Sequence, residues 1–413
     1  MAIKQVLDKR INLDYSTGMP LDHEVFEAMK PYFTEKYGNP SSLHYLGAEA
    51  RQALEDSRHK VGELINAEMP DREIYFTSGA TESNNLAIKG VALRNRKRGD
   101  HVVVSAIEHI SVINTAKYLQ RLGFRVTKVP VDSYGTVDVN AFASALTQGT
   151  VLASIMYANN EIGTIQPIKE LGKIAKEKGI PLHVDGTAAV GKVPADVQLE
   201  NVDLLTISSN DMYGPKGIGA LYVREGTLIE PIIHGGGQER GIRSGSENTP
   251  LIAGIGKAGE LAKKRILDDV RYTEGLRDRL IKGVLDSAEE IYLHGHPTRR
   301  LPGNVTARIF GVEGESVIME LDRRGIAAST GSACASKNLE PSHVLAAIGL
   351  NEIERHGVIQ FSLCRLNTKE DADYVISVIP EITKKLRDLS PVWKFRDRLS
   401  ELYKPHRHEE HES

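Results

Sequence analysis

The sequence predicts an α/β protein in which a mainly parallel, doubly wound sheet is joined to a smaller α+β domain. Over residues 74–223, short apolar runs alternate with amphipathic segments of helical spacing, which is typical of such sheets. After Asn248 the pattern changes to a long charged helix followed by shorter strands. We therefore expect a large domain over residues 14–255 and a small domain formed by residues 1–13 and 256–395.

The large domain is predicted to begin with two helices, at residues 22–32 and 43–65. Apolar runs then predict strands at 74–77, 102–105, 126–129, 152–157, 182–184, 204–207 and 219–223. Amphipathic spacing predicts helices between them at 82–97, 111–121 and 168–178. Sheets of this kind bind ligands at the carboxyl ends of their strands, so polar residues that follow these runs are the first candidates for a site.

The small domain is predicted to begin with a helix at residues 251–286. The remaining elements are strands at 291–293, 304–309 and 358–362 and helices at 314–322 and 369–388. The end of the chain is polar and rich in His and Glu over residues 403–413. We expect residues 396–413 to form a flexible tail, with a metal-binding tail as the alternative.

Charge and hydropathy exclude several kinds of partner. A formal net charge of −3 gives no electrostatic case for nucleic acid or an anionic membrane surface. No apolar run approaches the roughly 20 residues that span a bilayer. Residues 1–10 also lack the apolar core of a signal peptide. We therefore expect a cytoplasmic protein without nucleic-acid or membrane partners.

The two cysteines, Cys334 and Cys364, are too few for a disulfide framework in a chain of 413 residues. A single cysteine in an intracellular protein is a candidate reactive thiol, and an inert buried side chain is the alternative. Small residues flank Cys334, so its backbone is free to move and its sulfur can be reached. Cys364 lies near a predicted strand and is interpreted as a core residue.

Residues 78–84 follow a predicted strand and open a helix. Free backbone N–H groups at a helix N-terminus, with small residues that permit close approach, form an anion site. Simple capping of the helix by Ser78 or Thr81 is the alternative. Polar residues also follow other strands, among them His109 and Asp185, and each would be an ordinary core or surface group if no ligand is bound.

Residues 206–219 join two apolar runs through a polar turn, which indicates either a ligand site or a hairpin-like turn. The segment resembles the cofactor-lysine segment of cysteine desulfurases, pyridoxal-phosphate enzymes that serve iron–sulfur cluster assembly. That family reads Ser-Gly-His-Lys-Ile-Tyr-Gly-Pro-Lys-Gly, and residues 213–217 keep its second half. The family's His is Asn210 here, and the Lys that forms the Schiff base is Asp211.

The resemblance extends over residues 13–393 and implies the fold type I of pyridoxal-phosphate-dependent transferases, assembled as a homodimer. It also implies a set of cofactor contacts in this chain. The phosphate contacts would be Ala80, Thr81, Ser208 and, across the dimer, Ser246 in place of a family Thr. The ring contacts would be His109 by stacking, Asn160 at the ring oxygen and Asp185 at the pyridinium nitrogen, with His109 also a candidate catalytic group.

The resemblance fails at four positions that hold the cofactor or the amino-acid substrate. They are Asn210, Asp211, Ala188 in place of a Gln that contacts the ring oxygen, and Gln360 in place of an Arg that binds the substrate carboxylate. An imine requires an amine, and a carboxylate at position 211 would also repel an anionic cofactor. We therefore expect no covalent cofactor and a conversion of L-cysteine to L-alanine that is weak or lost.

The thiol segment resembles the family nearly residue for residue over residues 327–343, with a mobile loop at 328–338. In active relatives the matching Cys receives sulfur as a persulfide and passes it to a scaffold protein. Cys334 could act as such a sulfur acceptor or as an iron–sulfur cluster ligand without a cofactor. Residues 386–393 resemble the scaffold-docking end, where Trp393 either anchors the partner or packs on its own domain.

Two other functions remain open from the sequence. In the first, the chain is an active desulfurase that binds pyridoxal phosphate without a covalent bond, with Lys216 as a possible substitute amine. The contacts would come from Ala80, Thr81, His109, Asn160, Asp185 and Ser208. In the second, the chain is a non-catalytic binding subunit in which Cys334 has no chemical role.

Overall fold

A computed structural model describes residues 10–330 and 342–396. Its strands are β1 (Ile11–Asn12), β2 (Ile74–Thr77), β3 (His101–Ser105), β4 (Arg125–Val129), β5 (Thr150–Met156), β6 (Leu182–Asp185), β7 (Leu204–Ser208), β8 (Gly219–Val223), β9 (Ile291–His294), β10 (Asn304–Ile309), β11 (Ile326–Ala327) and β12 (Val358–Ser362). Every strand predicted from an apolar run is present.

The helices alternate with these strands in the large domain and pack around the smaller sheet in the rest of the chain. They are α1 (His23–Met29), α2 (Pro31–Thr34), α3 (Tyr45–Leu64), α4 (Pro70–Glu73), α5 (Ala80–Arg94), α6 (Ile110–Arg121), α7 (Val139–Ala145), α8 (Ile168–Glu177), α9 (Thr249–Asp286), α10 (Gly314–Asp322), α11 (His343–Ala347), α12 (Glu352–His356), α13 (Lys369–Leu389) and α14 (Pro391–Lys394).

The central sheet has seven strands in the order β2-β8-β7-β6-β5-β3-β4. Strand β8 is antiparallel to both of its neighbours, and the other pairings are parallel, so six strands run in one direction. All seven residues of β5 are buried, as expected for a central strand covered on both faces. The mainly parallel α/β sheet predicted from the sequence is confirmed, and the carboxyl ends of its six parallel strands share one edge.

The second sheet has three antiparallel strands, in the order β12-β10-β9. Its apolar side chains form a separate core with α10 and α13, which is the smaller α+β unit that the sequence predicts. Strands β1 and β11 add a two-residue parallel pair beside it. The sequence analysis did not include these two short strands, because two residues carry no detectable periodicity.

Helix α9 takes part in both hydrophobic cores. With 38 residues it is about 57 Å long. Ile252 and Ile255 pack in the core of the large sheet, whereas Leu276 and Leu280 pack in the core of the small sheet. The exact domain boundaries given above stay a prediction, because one continuous helix contributes to both cores.

Local chemistry explains where predicted helices differ from observed ones. The single helix expected at residues 22–32 is two, since α1 ends at Met29 and α2 begins at Pro31. Proline has no N–H to donate and its ring clashes with the preceding turn, so a helix restarts there. Helix α7 was not predicted, although Asp138 caps it by accepting from the backbone N–H groups of Asn140 and Ala141.

No helix in the described parts of the chain combines the length and the apolar composition needed to cross a bilayer.

Candidate cofactor and thiol site

The shared edge of the sheet carries the predicted cofactor residues. Asp185 is the last residue of β6 and Ser208 is the last residue of β7. His109 precedes α6 by one residue and follows the turn after β3, while Asn160 lies shortly after β5. The fold therefore brings together strand ends that lie far apart in the sequence, as the parallel arrangement predicts.

A hydrogen-bond network joins the two predicted ring contacts. The amide Nδ2 of Asn84 donates to Asp185 Oδ2 at 2.7 Å and to the Ser111 hydroxyl at 2.9 Å. The same hydroxyl lies 2.8 Å from His109 Nδ1, which also accepts from the Ser111 backbone N–H. Thr187 donates its hydroxyl to Asp185 Oδ1 at 2.6 Å. These contacts fix both side chains, and because Nδ1 of His109 accepts a hydrogen bond, the neutral tautomer carries its proton on Nε2.

Sequence reasoning did not identify Asn84, Ser111 and Thr187 as members of this network. Asn84 was considered only as the last residue of the helix-opening segment 78–84, and it lies 101 residues from Asp185 in the chain. The one available signal was position, since Asn84 lies in the first turns of a helix that starts at the ligand-binding edge. Its side-chain oxygen is buried and has no hydrogen-bond partner among the described residues.

The start of α5 has the form expected of an anion site. The N-cap is Gly79 with φ 146°, and no side chain makes a capping bond, so the alternative of capping by Ser78 or Thr81 is not observed. A Cβ added to Gly79 would meet no atom within 4 Å, which leaves open space above the first turn. Glu82 accepts from the Ser78 N–H at 2.7 Å and from Arg243 Nε at 2.8 Å. The carboxylate therefore connects the turn to the glycine-rich loop formed by residues 235–245.

That glycine-rich loop also carries the predicted cross-dimer contact. Its residue Glu239 is buried and pairs with Arg58 at 2.9 Å, which anchors the loop to α3. The Gly245 N–H donates to the Gln238 side chain at 2.9 Å. Ser246 follows at an exposed position. Its contact with a phosphate of a second chain stays a prediction.

Position 211 lies in a short 3-10 turn, Asn210–Met212, directly after β7. The Asp211 side chain is 11% exposed, and its Oδ1 lies 2.9 Å from the Nζ of Lys192, whose side chain is 20% exposed. The repulsion of an anionic cofactor expected from this carboxylate stays a prediction. The ammonium group of Lys192, which the sequence analysis did not include, lies within hydrogen-bond distance and offsets the negative charge.

Lys192 was missed by sequence reasoning. It lies 19 residues before Asp211 and follows Gly191, which has φ 81°. A Cβ on Gly191 would lie 2.7 Å from the Cβ of Met212, so only glycine allows this loop to pack against the 3-10 turn. A glycine directly before the lysine was the only signal of such a close approach.

A pocket that opens to solvent lies beside this ion pair. Three of the predicted positions line it, namely Asn160, Ala188 and Asp211, together with Lys192. Ala80, Thr81, His109, Asp185, Ser208, Ser246, Asn210 and Gln360 are not among its lining residues. The cavity therefore adjoins the ring-oxygen side of the predicted site rather than its phosphate side.

Gln360 and Asn210, two other positions predicted to differ from the family motif, contact other parts of the protein. Gln360 is 2% exposed, and its amide Nε2 donates to the backbone oxygen of Asn160 at 2.6 Å. Asn210 packs under the N-terminal segment, where its backbone oxygen accepts from the Met19 N–H at 3.3 Å. A Cβ on Gly18 would lie 3.1 Å from Asn210 Oδ1. Gln360 therefore holds backbone through its side chain, whereas Asn210 does so through its backbone oxygen, and Asn210 Oδ1 is buried without a hydrogen-bond partner among the described residues.

Cys334 lies outside the described residues, and so does most of the loop predicted at 328–338. The residues on either side of this gap are anchored to one stretch of the large domain. Ser329 exchanges backbone hydrogen bonds with Gln360, which in turn bonds Asn160. On the other side, the Ser342 hydroxyl donates to Glu161 Oε2 and caps α11. Burial raises the pKa of Glu161 to about 7.

A second buried carboxyl group lies beside His109. Glu108 is fully buried, and it accepts from the Ser105 hydroxyl at 2.6 Å and the Met156 N–H at 2.8 Å. Burial raises the pKa of Glu108 to about 8, so the group is largely protonated at neutral pH. Its backbone oxygen lies 2.9 Å from His343 Nε2, which links the cofactor edge to the helix after the thiol segment.

The remaining candidates are resolved as follows. Cys364 is 3% exposed and packs with Tyr15 and Met19, which confirms its interpretation as a core residue. Trp393 packs on its own domain, with the Arg387 guanidinium 3.7 Å from its ring centre.

The tail predicted at 396–413 lies outside the described residues except for its first member. Within residues 10–330 and 342–396, no group of three His, Cys, Asp or Glu side chains is arranged to hold a metal ion.

The sheet topology and the strand-end residues are those of a known class. The chain matches the family model "Aminotransferase class-V" over residues 11–375. A solved structure described as "NIFS-LIKE PROTEIN" superimposes with a TM-score of 0.86 at 37% identity, covering 92% of this chain and 100% of that one. The class is therefore the class-V aminotransferases, with the fold type I of pyridoxal-phosphate-dependent enzymes.

Sequence similarity to named relatives identifies the family within this class. The chain is 54% identical over 381 residues to "Cysteine desulfurase IscS 1" of Archaeoglobus fulgidus, which covers 92% of this chain and 99% of that protein. It is 50% identical over 385 residues to "Cysteine desulfurase IscS" of Methanosarcina thermophila, covering 93% and 95%. The chain belongs to the IscS family of cysteine desulfurases.

Proposed function

We propose that this chain serves iron–sulfur cluster assembly as a homodimer, and that its conversion of L-cysteine to L-alanine is weak or lost. Cys334 then acts as a sulfur acceptor or as a cluster ligand shared with a docked scaffold. The single observation that supports the proposal is at position 211, where the residue expected from the resemblance to be a lysine is Asp211, a carboxylate paired with Lys192.

The site fits pyridoxal phosphate at some of its contacts only. Asp185 and His109 are held in place for the ring, Asn160 lines the adjoining cavity, and Ala80 and Thr81 open the helix at the phosphate end. When bound, this cofactor supplies an electron sink for reactions of amino acids. The residues at positions 188 and 211 do not supply the family's amide and amine. We therefore propose loose binding of the cofactor without a bond to residue 211.

Position 360, at the predicted substrate end of the site, also differs from the family motif in a way that weakens binding. An Arg at position 360 would offer a planar, charged fork to the carboxylate of an amino acid. Gln360 is neutral, buried in β12 and engaged with the Asn160 backbone. Loss of one charged hydrogen-bond partner costs roughly 1.5–3 kcal/mol. L-cysteine would therefore be bound weakly even where a cofactor is present.

Surface features support the proposed partners. Large apolar side chains are exposed near the start of α3, including Phe33 at 57% and Leu43 at 98%. An exposed patch of this kind supports the homodimer. A groove beside residues 386–392 is lined by Phe310, Val312, Ile353 and Leu389, and it supports docking of a scaffold protein at this end of the chain. Trp393 itself is engaged with Arg387.

The test is a turnover assay on the full-length protein with added pyridoxal phosphate and L-cysteine. We expect no alanine above the background of a heat-treated sample. We expect added polysulfide, which releases a shorter polysulfide as its S–S bond is cleaved, to give a persulfide on Cys334, or added ferric iron and sulfide to give a cluster there. A Cys334→Ala variant, whose substitution lies outside the cofactor residues, is the matched control and should lose that product. Rapid release of alanine by the natural chain would refute the proposal.

The same assay separates the two alternatives. The intact network around Asp185 and His109 favours an active enzyme with a non-covalently bound cofactor, and steady alanine release would establish it. Normal cluster transfer by Cys334→Ala would instead establish a non-catalytic binding subunit.

A further inference from the structure

The Lys192–Asp211 pair is placed at the wall of a cavity rather than on the protein surface. Both side chains line the pocket beside β7. Its lining also includes Ala188, Leu301 and Tyr213. An amine is thus present at the wall of a largely apolar pocket.

The distance between this amine and Asp211 can be compared with the length of a lysine side chain. The Oδ1 atom of Asp211 is as many bonds from its Cα as Cδ is in a lysine. In a lysine, Nζ lies two bonds beyond Cδ, at about 2.5 Å given C–C and C–N single bonds of about 1.5 Å. The Nζ of Lys192 lies 2.9 Å from Asp211 Oδ1. The separation between the two atoms is therefore close to the one that a lysine at position 211 would have between Cδ and Nζ.

We propose that Lys192 is the nucleophilic amine of this cavity, and that it binds a small aldehyde as an imine. Lys192 must lose one proton before its nitrogen can attack the carbonyl carbon, and Asp211 is within hydrogen-bond distance to accept it. A C–N bond forms as the carbonyl π bond opens. The first proton then returns from Asp211 to the carbonyl oxygen, which gives a carbinolamine. A second proton moves from the nitrogen through Asp211 to this hydroxyl group, which leaves as water as the C=N bond forms. The product is an iminium cation that keeps Asp211 as its counter-ion.

The alternative amine considered from the sequence, Lys216, fits less well. Its side chain is exposed and does not line the cavity. Its Cε lies 3.3 Å from the position of a Cβ on Gly18, which places it against the N-terminal segment. The inference rests on the proposed function, which defines the site. Under this inference, the expected absence of a covalent bond to the cofactor applies to residue 211 and not to Lys192.

The experiment uses the full-length protein with pyridoxal phosphate as the aldehyde probe. The mixture is reduced with sodium borohydride, which converts an imine into a stable secondary amine, and the modified peptide is located by mass spectrometry. We expect one major adduct, on Lys192. Parallel reactions with pyridoxal, which lacks the phosphate, show whether the phosphate end contributes to binding.

Two variants make the test specific. Lys192→Arg keeps the positive charge beside Asp211 but cannot form an imine, so the major adduct should be lost while folding is preserved. Lys216→Arg is the matched control and should keep the adduct. A major adduct on another lysine, an undiminished adduct in Lys192→Arg, or no adduct in the natural chain would each overturn the inference. None of these outcomes depends on alanine release or on Cys334, so the proposed function is tested separately.

Discussion

At the scale of single residues, two hydrogen-bonded groups of side chains belong to the candidate site. Asp185 and His109 are connected through Asn84 and Ser111. Asp211 pairs with Lys192, and Gln360 donates to the Asn160 backbone. Because these side chains already have partners, we expect that changing one of them alone would give only part of the chemistry that is proposed to be weak or lost.

A substitution at position 211 tests this directly. We expect Asp211→Lys to give at most weak release of alanine from L-cysteine in the presence of pyridoxal phosphate, because Ala188 and Gln360 still lack the family's contacts. Adding Gln360→Arg should raise that rate about tenfold or more, since a charged hydrogen bond contributes roughly 1.5–3 kcal/mol. The single variant Gln360→Arg, which has no amine at 211, is the control. Equal rates for the single Asp211→Lys and double variants would contradict the argument.

Glu161 should make stability depend on pH. Burial raises its pKa to about 7, so between about pH 4.5 and pH 7 the folded state binds more protons than the unfolded state. Stability should therefore fall as pH rises through this window, by up to about 3 kcal/mol from this one group. Denaturant unfolding at pH 5 and pH 8 measures the change.

The matching variant is Glu161→Gln, which should reduce the loss of stability between pH 5 and pH 8. Glu24→Gln on exposed α1 serves as the control, and it should leave the loss unchanged. A pH dependence that is the same in Glu161→Gln and in the natural chain would show that Glu161 does not titrate in this range.

At the scale of elements, the loop before Lys192 depends on one glycine. Gly191 has φ 81°, and a Cβ there would lie 2.7 Å from the Cβ of Met212. We expect Gly191→Ala to lower the free energy of unfolding by roughly 1–3 kcal/mol, because both backbone strain and the close contact oppose the added methyl group. Because the loop must move to relieve that contact, the variant should also weaken the Lys192–Asp211 pair and lower the yield of the borohydride adduct.

Gly275 provides the comparison for that substitution. It lies inside α9, and an added Cβ would meet no atom within 4 Å. Gly275→Ala should therefore stabilise the protein by roughly 0.5–1 kcal/mol, since alanine loses less entropy in a helix. Chemical denaturation of both variants measures the difference. Equal effects from the two substitutions would remove the argument for a close approach at Gly191.

The elements were predictable where one local signal dominates. Apolar runs identified the strands because a covered parallel sheet buries both faces, as β5 shows. The strand ends then identified Asp185 and Ser208 as edge residues. Lys192 and Asn84 could not be found this way, because their partners lie 19 and 101 residues away. Only the packing of the loop at Gly191 and of α5 against the sheet brings these groups together.

At the scale of the whole molecule, two cores and two exposed surfaces define the assembly. The proposed homodimer would cover the apolar side chains near the start of α3, which are otherwise exposed to water. The groove at residues 386–392 is formed by the small-sheet core and the end of α13. Under the proposed function, the first surface would bind a second copy and the groove would bind a scaffold.

The dimer surface can be tested by adding charge to it. We expect the natural chain to run as a dimer in size-exclusion chromatography with light scattering. Leu43→Asp should shift it toward monomer, because Leu43 is 98% exposed in the single chain and an interface core excludes unpaired charge. Met319→Asp on α10, where the side chain is 65% exposed, is the control. Dimers of unchanged stability in Leu43→Asp would place the interface elsewhere.

Helix α9 determines how the two cores are oriented. Its apolar contacts with the large sheet end at Ala262, and those with the small sheet begin near Leu276. Residues 263–272 between them are not buried. One residue inserted into this exposed section would rotate everything beyond it by about 100° and advance it by about 1.5 Å. The relative orientation of the two halves is thus set by the number of residues in this section of the helix. Inserting or removing whole turns would change that orientation far less than inserting or removing one or two residues.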